Sequence, residues 1–288
     1  MATVLITGTS KGIGLITALT LARAGHTVYA TLRNPDRAPE LGETAAHESL
    51  PIHISAMDVD SDSSVAAAIG AVYEAAGNID VLVNNAGVER NGAIEELSMA
   101  DFRATMETNY FGAIRCAKAV IPHMRQRRSG LIVNVTSVAG RVCTSPLGPY
   151  AASKFALEAL SEAMAQELKA FNVRIAIVEP GIIDTPMAHE IDLPAPESVY
   201  PQQRRMAHYF AAALKNPTPP LLVAEKIQEI IESGTWKLRH PVGPGAEPLL
   251  ASRLATSDED YIALQSADDD TWYAIMEQRT GMVIRPRD

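Results

Sequence analysis

Tyr150-Ala151-Ala152-Ser153-Lys154 sets a phenol and an ammonium four residues apart. On a helix, positions i and i+4 share a face. A phenol titrating near pH 10 is by itself a poor general acid or base at neutral pH. A cation about 4 Å away contributes at most roughly 4 kcal/mol at an effective dielectric near 20, which could lower that value by up to about 3 units. The spacing therefore predicts a proton donor usable near pH 7. The plainer alternative is an interfacial aromatic beside a surface cation. Ser137 follows the apolar run Leu131–Thr136, where a hydroxyl can hold a carbonyl oxygen beside the phenol or simply occupy a turn before Gly140. Asn109, in Glu107-Thr108-Asn109-Tyr110, is an uncharged amide suited to ordering a helix bend or a water, or to a satisfied place in the core.

A second group of residues suits an anion. Thr7-Gly8-Thr9-Ser10-Lys11-Gly12-Ile13-Gly14 lies between a strand-like run and a helical one. Its glycines allow a tight turn and close backbone approach, and the amides opening the next helix favour a pyrophosphate. A glycine-rich turn without a ligand is the bland reading. The same stretch matches G-x-S-x-G, with Ser10 as a hydrolase nucleophile. That reading is weaker. No upstream strand and loop can supply an oxyanion hole, and none of His189, His208 and His240 stands out as the base. The second strand ends Thr31-Leu32-Arg33-Asn34, without the carboxylate that would hold ribose hydroxyls. Arg33 and Lys11 can instead surround a 2′-phosphate, so NADP(H) is expected over NAD(H). Two solvated cations are the alternative.

These groups need a scaffold that brings strand ends together. Short β-branched runs recur at Val4–Thr7, Thr27–Arg33, Ile52–Val59, Val81–Asn84, Leu131–Thr136, Arg174–Glu179 and Lys237–Val242. They are continuous in hydrophobicity, as strands covered on both faces are. Val65, Ile69, Val72 and Ala76 share a helix face, with Ser61 or Asp62 placed to cap it and Gly77-Asn78 to end it. Further helices are predicted from about Phe111 to Arg127 and from Tyr150 to Ala170. This alternation predicts an α/β, doubly wound parallel sheet with ligands at the carboxyl ends of its strands.

Two segments break the rhythm. Residues 184–220 hold Pro186, Pro194, Pro196, Pro201, Pro217, Pro219 and Pro220. Met187, Ile191, Leu193, Tyr209, Phe210 and Leu214 make this stretch a substrate lid rather than a linker. Residues 1–248 thus read as one domain carrying the lid. Residues 249–288 read as an extension whose Trp272, Tyr273, Ile275 and Met276 dock on the body or on a partner subunit. Its acidic groups, Asp258-Glu259-Asp260 and Asp268-Asp269-Asp270, read as a solvated face.

Composition excludes several classes. Among 288 residues, 47% are hydrophobic and 20% charged, so a wholly disordered chain is ruled out. The net charge of −9, with no basic cluster beyond Arg125, Arg127 and Arg128, argues against nucleic-acid binding. No run reaches the roughly 18–20 apolar residues of a membrane span. Thr3–Ile6 reads as a strand rather than part of a secretory leader. Cys116 and Cys143 are too few for a disulfide framework and read as buried free thiols. A cytoplasmic protein is expected, and no metal ligand set is assigned.

Taken together, the motifs resemble the short-chain dehydrogenase/reductase family, in its branch of about 250 residues. The matching elements are T-G-x-x-x-G-x-G at Thr7–Gly14, N-N-A-G at Asn84–Gly87, Asn109, Ser137, Tyr150, Lys154 and P-G-x-x-x-T at Pro180–Thr185. Seven elements in the family's order are far more specific than any one of them. The resemblance implies a Rossmann sheet of about seven strands and an NADP(H)-dependent oxidoreductase interconverting a carbonyl compound and an alcohol. Tyr150 would be the general acid or base, Lys154 would lower its pKa and hold the nicotinamide ribose, and Ser137 would fix the substrate carbonyl. Asn109 would anchor a water that relays protons to Lys154. Gly8, Ser10, Lys11, Gly12, Ile13 and Gly14 would cradle the phosphates, and Arg33 the 2′-phosphate. Asp58 and Val59 would meet the adenine, and Asn85, Ala86 and Gly87 would line the turn behind the cofactor. Pro180, Gly181, Ile183 and Thr185 would clamp the carboxamide and phosphate. Apolar lid residues, and the likeness of Ala30–Arg33 to steroid- and retinoid-active relatives, imply a hydrophobic substrate. The family's usual packing implies a homodimer or homotetramer. A catalytically silent NADP-binding regulator on the same scaffold is the rival, though it would have no need of Asn109, Ser137, Tyr150 and Lys154 together.

Overall fold

Seven parallel strands form the central sheet: β1 (Thr3–Thr7), β2 (Thr27–Leu32), β3 (Ile52–Ala56), β4 (Val81–Asn84), β5 (Gly130–Val135), β6 (Val173–Pro180) and β7 (Arg239–Val242). They lie in the order β3-β2-β1-β4-β5-β6-β7. The computed structural model describes residues 1–191 and 198–285. The strand order reverses between β1 and β4, which opens a crevice at their carboxyl ends.

The continuous apolar runs are explained by cover on both faces. Val4 and Ile6 pack with Leu15 and Leu19 of α1 (Gly12–Arg23) and with Val223 and Ile227 of α9 (Leu221–Ser233). Leu5 points the other way, among Val65 and Ile69 of α3 (Asp62–Ala76), Cys116 and Val120 of α5 (Gly112–Arg127), and Met164 of α6 (Gly148–Leu168). Helix α3 is capped where the spacing predicts. Ser61 accepts from the Ser64 amide, and Gly77 ends the helix at a φ of 76°.

The boundaries differ where partners run out. The third strand stops at Ala56 rather than Val59, because Ala56 pairs with Leu32, the last residue of β2. As an edge strand, β3 is only partly covered, so its run is not buried on both faces. The two cysteines also part company. Cys116 is buried, and burial pushes its thiol up to about 12. Cys143 is exposed, contrary to expectation, because the loop between β5 and α6 runs over the surface.

The segment expected as a lid is largely helical among its described residues. It comprises α7 (Pro186–Ile191) and α8 (Pro201–Ala213), while Leu193, Pro194 and Pro196 lie outside the described residues. One side of the lid packs Ile191, Met206 and Phe210 with Leu147. The carboxyl-terminal helix α10 (Ala246–Leu254) lies against β7. The other side of α8 meets α11 (Asp258–Ser266) and α12 (Asp269–Thr280), through bonds to the Gln265 carbonyl and Ala212 against Trp272, Tyr273 and the following Ile284. The acidic groups are therefore more than a solvated face. Asp268 caps α12 by accepting from the Thr271 amide at 2.9 Å. Asp269 accepts from Arg205 Nε of α8 at 2.7 Å, and Arg205 also donates to the Ala267 carbonyl at 2.8 Å.

Trp272 is 3% exposed, so its removal tests whether the tail is packed on the lid. Trp272→Ala is expected to cost about 3–5 kcal/mol in urea unfolding. A loss under about 1 kcal/mol would show that the tail does not pack there.

Candidate active site

The glycine loop is shaped by what lies against it. The chain leaves β1 through Gly8 at φ +72°, and a Cβ there would come within 2.7 Å of the Ala86 backbone. A Cβ on Gly14 would lie 2.3 Å from the Gly8 carbonyl oxygen and 2.4 Å from Asn85 Nδ2. Hydrogen bonds lock the same contact. Thr7 Oγ1 accepts from the amides of Asn85 and Ala86 at 3.0 and 2.9 Å. Asn85 Nδ2 donates back to the carbonyls of Thr7 and Gly8 at 2.9 and 3.0 Å. Helix α1 then opens at Gly12 with no side-chain cap and no acidic residue in its first turn. Its amino-terminal amides are thus left for an anion, and a dinucleotide diphosphate fits this cradle.

The remaining expected contacts line the same cleft, which has a volume of about 700 Å³. Arg33, Asp58 and Val59 sit beyond β2 and β3, at the end where an adenosine would lie. The Asp58 amide donates to Ser64 Oγ at 2.9 Å, which fixes that turn. Lys11 Nζ stands 3.8 Å from Glu190 of α7, an exposed pair of little energetic weight. Gly181 donates its amide to the Val242 carbonyl at 2.9 Å, so Pro180 and Gly181 are held at the β6 end. Thr185 reaches the glycine loop from the lid side, where a Cβ on Gly12 would lie 3.3 Å from its methyl. Ile183 is buried between the two. Ser10 and Ile13 also line the cleft, yet no histidine is among its described lining residues, so a Ser10 nucleophile lacks a base there.

The candidate catalytic residues are brought together by α6 against the end of β5. Lys154 Nζ donates to the Val135 carbonyl at 3.0 Å and lies 5.6 Å from the centre of the Tyr150 ring. Ser137 stands beside the Tyr150 phenol, close enough to oppose the upward shift of its pKa. Its Oγ accepts from the Ala139 amide at 3.1 Å and donates to the Pro180 carbonyl at 3.4 Å. Asn109 falls in a single wide helical turn, Glu107–Phe111, that joins α4 (Met99–Met106) to α5. Such a turn redirects a side chain out of regular helical register. Asn109 accepts from the Val88 amide at 2.8 Å and donates to the Val88 carbonyl and Ser153 Oγ, both at 2.9 Å. Its side chain therefore ties the Gly87–Val88 segment to α6.

Electrostatics correct one expectation. Burial pushes the Tyr150 phenol up to about 12; the neighbouring Ser137 hydroxyl opposes the shift and the Glu89 charge adds to it. Burial also pushes the Lys154 ammonium down to about 8, with the Glu158 carboxylate opposing. The protein alone therefore does not hold the phenol near neutrality. Spacing along a helix does not encode desolvation, and the Lys154 ammonium is bonded to the Val135 carbonyl rather than to the phenolic oxygen.

Two carboxyls escaped the sequence reading. Glu158 accepts from Thr136 Oγ1 at 2.7 Å and from Arg239 Nε at 2.9 Å. Its place four residues after Lys154 was a usable signal. Glu89 lines the cleft, and burial pushes it up to about 7. Nothing in its spacing marks it.

Comparison with known proteins completes the assignment. A family model described as short chain dehydrogenase matches residues 2–195. An uncharacterized oxidoreductase of Bacillus subtilis, YusZ, is 37% identical over 258 residues, covering 86% of this chain and 91% of its own length. Retinol dehydrogenase 8 of Bos taurus is 46% identical over 188 residues, 64% of this chain and 59% of that protein. The solved structure of a gluconate 5-dehydrogenase from Burkholderia cenocepacia, in complex with NADP and tartrate, superposes with a TM-score of 0.74 at 26% identity, covering 86% of this chain and 95% of that one. With its Rossmann-like sheet and this site, the chain belongs to the short-chain dehydrogenase family of oxidoreductases.

Proposed function

We propose that the protein is an NADP(H)-dependent carbonyl reductase or alcohol dehydrogenase acting on a hydrophobic ketone, aldehyde or secondary alcohol. The observation that carries this reading is the meeting of Ser137, Tyr150 and Lys154 in a cleft that also holds the uncapped start of α1. A bound nicotinamide would supply or accept the hydride. In reduction, Tyr150 donates its proton to the carbonyl oxygen, and Ser137 holds that oxygen with it. The two hydroxyls stabilise the charge that develops there. The Lys154 ammonium stabilises the phenolate left behind. In the resting protein the raised phenol is fully protonated at neutral pH, which suits a donor.

Support for NADP comes from Arg33 and Lys11 at the cleft and from the NADP in the gluconate 5-dehydrogenase complex. Support for an apolar substrate comes from Leu147, Ile191, Met206 and Phe210 on the cleft wall and from the similarity to a retinol dehydrogenase. We take the protein to be a homo-oligomer packing through α5 and α6, beside which Phe111 and Phe155 stand exposed. A cytoplasmic location is part of the same reading. Among the described residues no helix is long and apolar enough to cross a membrane. A silent NADP-binding regulator would leave the Tyr150–Ser137–Lys154 arrangement without a purpose.

Three outcomes are expected. Tyr150→Phe should lower ketone-dependent NADPH oxidation by about 10²- to 10⁴-fold while the NADPH Kd stays within about threefold. Wild-type turnover by that variant would end the assignment. Replacing Lys11 and Arg33 by alanine should weaken NADPH at least about tenfold and leave NADH nearly untouched, because one charge-assisted phosphate contact is worth about 1.5–3 kcal/mol. Equal losses for both cofactors would remove the 2′-phosphate role. Finally, kcat/KM for reduction should decline above about pH 8, where the buried Lys154 loses its proton. A profile flat to pH 9.5 would contradict the need for that ammonium.

A further inference from the structure

The cleft holds a carboxyl that the proposed reaction does not use. Glu89 is 8% exposed and lines the cleft two residues after Gly87. The nearby cations are engaged elsewhere. Arg90 donates to the Glu89 carbonyl oxygen at 2.8 Å and turns its Nε toward Asp101, 3.6 Å away. Lys154 donates to Val135. Glu89 Oε2 receives one long bond, 3.3 Å, from Asn91 Nδ2, and Asn91 Oδ1 accepts from Gln203 of the lid helix α8 at 3.5 Å. Glu89 Oε1 is buried and has no hydrogen-bond partner among the described residues.

A buried carboxyl oxygen without a partner is costly, so a site that keeps one needs a reason for it. Its charge acts on the Tyr150 phenol, which places the carboxyl within electrostatic reach of the reacting oxygen. A cation site would need further ligands, and among the described residues no group of three His, Cys, Asp or Glu side chains converges to hold a metal. The cleft wall formed by Leu147, Ile191, Met206 and Phe210 is apolar. Glu89 is thus a cleft-lining carboxyl near that apolar wall, connected through Asn91 and Gln203 to the lid.

We propose that Glu89 is a substrate-binding residue that accepts a hydrogen bond from a hydroxyl or amine of the substrate, so that the protein selects hydroxylated or aminated apolar carbonyl compounds over their plain analogues. This rests on the reaction proposed above and names its substrate class.

The test uses acetophenone, α-hydroxyacetophenone, α-aminoacetophenone and 4-hydroxyacetophenone with NADPH and the full chain at pH 8, above the value of about 7 to which burial pushes Glu89. The wild type should prefer at least one donor-bearing ketone to acetophenone by about ten- to a hundredfold in kcat/KM, the range of one hydrogen bond to a charged group. In Glu89→Leu that ratio should collapse toward one. If the leucine variant gives no cooperative melting transition, Glu89→Gln, which keeps the shape and loses the charge, should lower the ratio at least about fivefold. A wild-type ratio near one, or a ratio that survives the substitution, overturns the proposal. Should the wild type reduce none of the four, the reaction assigned above fails, and calorimetric binding of the same compounds still decides the role of Glu89. Tighter binding of donor-bearing members that is lost in the variant supports it, and equal or absent binding overturns it.

Discussion

A buried ammonium held by one backbone carbonyl is the constraint on which the site depends. Lys154 is 4% exposed, and its Nζ is bonded to the last residue of β5. Taking that charge out of water costs several kcal/mol unless its surroundings are fixed. The fixing is sequential: three successive residues at the β5 end each meet one residue of α6. Val135 accepts from Lys154, Thr136 donates to Glu158, and Ser137 stands beside Tyr150 and opposes its upward shift. Ser153, between the two catalytic candidates, is bound from the opposite side by Asn109. The helix can neither slide nor rotate against the sheet without breaking several of these contacts, so the phenol is positioned by the lysine's burial as much as by its own.

The other half of the cleft is fixed by exclusion of side-chain volume. Gly8 and Gly14 leave space that Ala86 and Asn85 occupy, and the Thr7–Asn85 exchange of hydrogen bonds sets the distance between the β1 and β4 ends. Gly87 links the halves: a Cβ there would lie 3.3 Å from Asn109 Oδ1 and 3.7 Å from Lys154 Nζ. The anion cradle and the proton donor are therefore parts of one packed unit. In that unit the phenol is raised and the ammonium lowered, both by burial. This favours proton donation.

Much of this was legible in the sequence because it follows from local rules. The continuous apolar runs of β1, β4 and β5 announce strands covered on both faces, and the glycine spacing after Thr7 announces a loop that must approach another backbone. Tyr150 and Lys154 declare a shared helix face by spacing alone. What was not legible depends on burial, which spacing does not encode. The sign of the Tyr150 shift reversed because desolvation outweighed a cation that points elsewhere. Asp269 reads as one of a solvated acidic run, yet it pairs with the buried Arg205, 64 residues away in the chain. Glu89 looks like any loop carboxylate until the fold links it through Asn91 to Gln203 of α8.

The titration of Lys154 tests the account at its root. In protein carrying ¹⁵N-labelled lysine, with the Lys154→Met variant used to assign the resonance, the Nζ signal should titrate with a midpoint of about 8. A midpoint near the ordinary lysine value of about 10.4 would place the ammonium in water and undo the arrangement built on its burial.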